Sequence, residues 1–120
     1  MPIVAIGTLT EVVKTNIGPY SLVFPYYIAG KEHYTMLLEA RNNSNTAKNI
    51  LRTKKCSLNF IPDDKKYIKE CVALGFLGDT TEEKTKGCTF TLVDGQRKQK
   101  NPEGNYPKIV NEAYQVFECT

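Results

Sequence analysis

The chain of 120 residues has no tryptophan, one histidine and two methionines. His33 has no cysteine at metal-ligand spacing, and it sits in the turn-like stretch Gly30-Lys31-Glu32-His33. It therefore reads as a surface residue and not as a metal ligand. None of the four cysteines, Cys56, Cys71, Cys88 and Cys119, belongs to a CxxC pair. That removes the zinc-site and thioredoxin-type readings. Each lies among apolar neighbours or on an apolar face and reads as a reduced, buried, small hydrophobe. No apolar run approaches the ~18 residues of a membrane span. No basic segment followed by an apolar one marks a signal peptide, so a cytoplasmic location is expected. A GxGxxG fingerprint is missing, which excludes a Rossmann-type dinucleotide site. Neither sign of charge is in large excess, with 16 basic against 13 acidic residues. A net charge of +3 gives little counterion-release affinity for nucleic acid, which is not the expected partner.

What is present is the composition of one globular domain spanning residues 1–120, with 41% hydrophobic and 24% charged residues. Residues 3 to 15 are rich in β-branched types and suggest one or two strands with a break at Gly7. Asn16-Ile17-Gly18-Pro19 is a turn by composition. Tyr20 to Ile28 is strand-like, with Pro25 at an edge or bulge. Ala29 to His33 is a hairpin loop. Tyr34 to Ala40 is the next strand, with Tyr34, Met36, Leu38 and Ala40 on one face. A helix from Thr46 to Thr53 places Ala47, Ile50 and Leu51 inward. In Cys56 to Ile61, Cys56, Leu58 and Phe60 face one way, and Ser57 and Asn59 the other. A second helix starts at Pro62-Asp63-Asp64, with Asp63 as N-cap and an apolar stripe of Tyr67, Ile68, Cys71, Val72 and Leu74. Gly75 is its natural stop. Leu77 to Lys86 is polar and irregular. Cys88 to Val93 is a strand, Gln96 to Gly104 a long polar loop, and Pro107 to Ala113 leads into a last strand, Tyr114 to Cys119. Strands dominate, with two short helices between them. An α+β, mainly β, barrel-like domain is predicted.

One stretch carries chemistry. A strand ends at Arg41-Asn42-Asn43-Ser44-Asn45 and enters the helix at Thr46. The first helical amides have no intrahelical partner, and the helix dipole favours negative charge there. Ser44 and Asn45 are good N-caps, Ser44 and Thr46 offer hydroxyls, and Arg41 can grip a phosphate with two parallel hydrogen bonds. An ordinary N-cap with solvated neighbours uses the same residues. Lys48, Arg52, Lys54 and Lys55 lie beside this stretch with no acid among them. They form either a solvated helix face or a basic border to the anion site.

The order of motifs resembles the flavin-reductase-like, FMN-binding split-barrel family. The residues that carry the resemblance are Asn16-Ile17-Gly18-Pro19-Tyr20-Ser21, Ser44-Asn45-Thr46-Ala47-Lys48-Asn49-Ile50, Ser57-Leu58-Asn59, and the run from Pro107 to Cys119. It covers nearly the whole chain from Asn16 onward. Gly18 stands where the family usually has Ala, and Asn43-Ser44-Asn45-Thr46 where Lys-Asp-Thr is commoner. The resemblance implies a Greek-key split barrel that binds FMN at a homodimer interface and takes hydride from NAD(P)H. It implies that Asn16, Gly18, Pro19 and Ser21 lie along the isoalloxazine, that Arg41, Ser44 and Thr46 hold the phosphate, and that Asn59 adds a polar contact. No catalytic side chain and no metal are implied. The family's domain continues further, so this chain is expected to be a shortened or truncated member lacking C-terminal elements. A non-catalytic flavin-binding or structural split-barrel domain is the alternative.

Overall fold

A computed structural model of the chain describes residues 3–26, 35–73 and 90–120, without the side chains of 70–73. The expected loop from Ala29 to His33, the helix stop at Gly75 and the stretch from Leu77 to Lys86 lie outside those residues. So do Tyr34 and Cys88.

Strand β1, Val4–Leu9, is buried along its whole length. It runs straight through Gly7, where a break was expected. Glycine is required there by packing: a Cβ would run into the Ser57 hydroxyl and lie 3.0 Å from the Lys108 carbonyl. The first turn falls at residues 10–14. Thr10 N–H donates to the Lys14 carbonyl at 2.8 Å, and Val13 N–H to the Thr10 carbonyl at 3.0 Å. Val13 sits in the left-handed region at φ 60°. Such a hairpin bend normally gives that position to glycine. Asn16 to Pro19, expected as a turn, instead belong to strand β2, Thr15–Tyr20. Pro19 is tolerated because, among the described residues, β2 pairs on one side only, so its missing N–H breaks no ladder on the other side there.

Strand β5, Cys56–Phe60, pairs antiparallel with β1 on one side and with β8, Gln115–Cys119, on the other. The sheet order is β2-β1-β5-β8. Two antiparallel ribbons complete the strands. One pairs β3, Val23–Tyr26, with β4, Thr35–Leu38; the other pairs β6, Leu92–Val93, with β7, Ile109–Val110. Pro25 falls in the two-stranded β3–β4 ribbon, in keeping with its edge reading.

The pleat divides the sheet into two buried faces. On one, Val4, Ile6 and Leu58 gather Val23, Met36, Leu38, Cys56, Phe60, Phe117 and Cys119. On the other, Ala5, Ile17, Ile61 and Val110 gather Tyr67, Phe90, Leu92 and Ala113. The predicted alternation in β5 is observed, and both of its faces are covered. Ser57 and Asn59 are fully buried in the second layer. Asn59 is the cross-tie there. Its Nδ2 donates to the Ala5 carbonyl at 2.9 Å, and its Oδ1 accepts from Val110 N–H at 2.9 Å. One side chain thus links β5, β1 and β7.

Three helices occur among the described residues, against two expected. Helix α1 is Asn45–Thr53 and α2 is Lys65–Ala73. Asp64 caps α2 in place of the expected Asp63, its Oδ1 accepting from Lys66 N–H at 2.9 Å. Tyr67 of α2 stacks on Phe90, with ring centroids 5.6 Å apart. Helix α3, Gln96–Lys100, replaces the first half of the expected loop. Its N-cap Gly95 has no side chain, and the Glu118 carboxylate supplies the missing acceptor by taking Arg97 N–H at 3.2 Å. A Cβ on Gly95 would collide with that carboxylate.

Candidate functional site

Helix α1 packs on β1 and β2, and its N-terminus is built by local hydrogen bonding. Arg41 opens a tight turn whose carbonyl accepts from Ser44 N–H at 3.0 Å and from Ser44 Oγ at 2.8 Å. Ser44 is extended (φ −74°, ψ 150°), and its Oγ accepts from Ala47 N–H at 3.1 Å. Of the two N-cap candidates read from the sequence, Ser44 and Asn45, it is Ser44 that caps, and Asn45 is the first residue of the helix. Lys48 N–H closes the first intrahelical bond onto the Ser44 carbonyl at 3.1 Å. The amides of Asn45 and Thr46 then have no acceptor among the described residues. No acidic residue lies in the first turn. These features fit an anion: two open amides, a positive helix end and the exposed Arg41 beside them.

The face that α1 buries is polar. Thr46 and Asn49 are buried, whereas Leu51, expected inward, is 68% exposed, and Ala47 and Ile50 are only partly covered. The reason lies beneath the helix, where β1 and β2 present the register pairs Thr8↔Asn16 and Ile6↔Gly18. Asn49 Nδ2 donates to Thr8 Oγ1 at 3.1 Å. Thr46 stands over Gly18: a Cβ there would lie 2.8 Å from Thr46 Oγ1 and 3.1 Å from the Tyr20 ring. Arg52 donates to Asn49 Oδ1 at 3.1 Å and to the Leu9 carbonyl, tying the end of β1 to the helix.

The sequence-predicted site residues therefore divide into groups. Gly18, Arg41, Ser44 and Thr46 come together at the mouth of α1. Asn16 and Gly18 are buried on the sheet face under the helix. Pro19 is half-buried near the end of β2, and Ser21 is exposed at the corner that follows. Asn59 is not brought to this place. It lies on the opposite face of the sheet, and its amide is committed to Ala5 and Val110. The basic cluster is likewise split. Lys55 Nζ is held by the Asn105 carbonyl at 2.9 Å and lies 4.6 Å above the Tyr106 ring, while Arg52 is anchored as above. Lys48 and Lys54 remain exposed at the surface.

Sequence reasoning missed a second cluster at the far end of the sheet. Arg97 of α3 donates to the carbonyls of Cys119 at 3.0 Å and Cys56 at 3.3 Å, and pairs with Glu118 at 3.5 Å. Its guanidinium also lies 4.9 Å over the Tyr106 ring. The register Cys56↔Cys119 was the signal available, but only once the strands were paired.

No family model matches the chain, and no curated protein matches it by sequence. Solved structures do match. The 2-nitrobenzoate 2-nitroreductase of Pseudomonas fluorescens superposes with a TM-score of 0.72 at 18% identity, covering 99% of this chain and 52% of that one. Flavoredoxin from Methanosarcina acetivorans gives a TM-score of 0.73 at 18% identity, covering 99% of this chain and 56% of that one. A split barrel domain protein from Shewanella frigidimarina gives 0.74 at 17% identity, covering 98% and 53%. The fold is the split barrel of flavin-reductase-like proteins. The chain spans just over half the length of these neighbours. No helix among the described residues is long and apolar enough to cross a membrane.

Proposed function

We propose that the chain is an FMN-binding flavoprotein of the flavin-reductase type, acting as a homodimer and drawing reducing equivalents from NAD(P)H. The observation that carries this reading is the mouth of α1, where the open amides of Asn45 and Thr46 and the Arg41 turn adjoin Gly18 of β2 within a split-barrel fold. Bound flavin supplies the hydride chemistry; the protein supplies position and electrostatics. In this reading the two amides and the Arg41 guanidinium hold the phosphate, with the Thr46 hydroxyl behind them. Ser44 acts by fixing the first turn, since its Oγ is already engaged at both ends. Pro19, near the end of β2, and Ser21, on the corner after it, present backbone and hydroxyl along the ring. Asn59 has no part, because both ends of its amide are used inside the sheet.

Titration of the full chain with FMN, followed by quenching of flavin fluorescence, tests this. Arg41→Ala and Thr46→Ala are expected to weaken FMN binding about tenfold each, the effect of losing one charge-assisted or hydroxyl contact, with an unchanged circular dichroism spectrum. Unaltered titration in both variants refutes the phosphate assignment. FMN uptake without NAD(P)H consumption would identify a flavin binder that does not turn over.

A further inference from the structure

Cys56 is the first residue of β5 and Cys119 the last of β8, and the register places them directly opposite one another. Directly opposed residues of an antiparallel pair have Cα atoms about 4.5–5.5 Å apart. That lies inside the window of about 4.4–6.8 Å that a disulfide requires. Opposed residues also project to the same face, so both side chains meet at the rim of one core layer, where each is half-buried. Arg97 reinforces the juxtaposition by donating to both cysteine carbonyls, which pins the two strand ends together.

We propose that Cys56 and Cys119 form a dithiol site that exchanges with low-molecular-weight disulfides and closes to a cross-strand disulfide. The site is independent of the flavin reading. In the first step the Cys119 thiolate attacks one sulfur of a disulfide RSSR, forming a Cys119–SR mixed disulfide and releasing RS⁻. In the second, Cys56 sulfur attacks Cys119 Sγ. The Cys119–SR bond breaks, and the second RS⁻ leaves. The protons of the two thiols go to the two leaving groups, so RSSR is reduced to two RSH as the protein dithiol is oxidised by two electrons. Cys119 is the attacking group for a physical reason. The facing Cys56 thiol and the nearby Arg97 charge lower its pKa to about 7, against the opposing effects of burial and of the Glu118 carboxylate. Cys56 is pushed the other way by the facing Cys119 sulfur and by burial. The reactive species in exchange is the thiolate.

The test uses the full chain, incubated with glutathione disulfide, alkylated and digested with trypsin for mass spectrometry. The expected product is a cross-linked species joining peptide 56–65 to peptide 109–120, reversed by dithiothreitol. Cys119→Ser is expected to abolish the cross-link and leave Cys56 open to alkylation. Cys56→Ser should stop at the Cys119–glutathione mixed disulfide. Circular dichroism of both variants confirms that they fold. Separate, fully alkylated 56–65 and 109–120 peptides in glutathione disulfide would overturn the proposal. So would pairing of either cysteine with Cys71 or Cys88.

Discussion

Replacing Asn59 by alanine should weaken the fold without touching the helix mouth. The Asn59 side chain is fully buried, donates to the Ala5 carbonyl and accepts from Val110 N–H, both at 2.9 Å. In Asn59→Ala the Val110 amide loses its acceptor at a position only 1% exposed. A buried donor left unsatisfied costs about 1–3 kcal/mol. The Ala5 carbonyl loses a partner at smaller cost, because a carbonyl has a second lone pair. The vacated amide volume adds a small cavity cost. The sum is about 3 kcal/mol, a large part of the 5–15 kcal/mol that holds a typical domain together. At about 2.1 cal/mol/K of unfolding entropy per residue, 120 residues convert this to a fall in Tm of roughly 12 °C.

Urea unfolding followed by tyrosine fluorescence measures the change directly. Asn59→Asp is the informative companion. It keeps an acceptor for Val110 but aims a carboxylate oxygen at the Ala5 carbonyl. Burial and that repulsion raise the folded-state pKa of the new acid above its unfolded value. Its stability is therefore retained below the unfolded pKa and lost as pH rises through the folded one. Asn59→Asp should approach wild type in acid and fall away at neutral pH. If Asn59→Ala unfolds at the wild-type urea midpoint, the cross-tie contributes nothing. If it instead keeps its stability and loses flavin affinity, the residue belongs to the site after all.

Val13→Gly should stabilise the chain by about 1 kcal/mol, because a β-branched residue at φ 60° is strained where glycine is not; an unchanged thermal midpoint would contradict this. Gly18→Ala should destabilise by about 1–2 kcal/mol through the approach of its Cβ to Thr46 Oγ1, and adding Thr46→Ala should restore most of that loss. Additive effects in that double-mutant cycle would show that the two positions do not meet. Alkylation of Cys119 by iodoacetamide should rise with pH and reach half its maximum near pH 7, not near the value of about 8.5 of an ordinary thiol. A midpoint above 8, measured in Cys56→Ser as well as in the parent chain, would remove the assigned thiolate.

The parts of this fold that were legible in the sequence are those governed by local rules. The alternation of Cys56, Leu58 and Phe60 against Ser57 and Asn59 has a period of two over five residues and survives in the structure. Ser44 caps α1 because an extended serine at a strand-to-helix junction has an amide within reach. Gln96–Lys100 was illegible because it has no apolar stripe. Its N-terminal turn is capped by Glu118, far along the chain, which accepts the Arg97 amide. Asn16 to Pro19 looked like a turn because Gly and Pro usually mark one. Here Pro19 lies on a strand that pairs on one side only among the described residues, and Gly18 makes room for Thr46, and neither circumstance can be read from neighbours in sequence.

The misplacement of Leu51 has a deeper cause. Reading a helix face from apolar spacing presumes that the surface beneath it is apolar. Under α1 that surface is the pairs Thr8↔Asn16 and Ile6↔Gly18, in which Ile6 is the one large apolar side chain, so the polar side of the helix turns inward and Leu51 turns out. Docking by directional contacts has a geometric consequence that docking by oily surface lacks. An apolar face can slide or rotate by several degrees at little cost, whereas the Asn49 to Thr8 bond and the close fit of Thr46 over Gly18 fix both rotation and register. The first amides of α1 are thereby held in one direction relative to β2, and an anion site at a helix mouth needs that pre-organisation. The residues that defeated the apolar rule are the same ones that aim the helix.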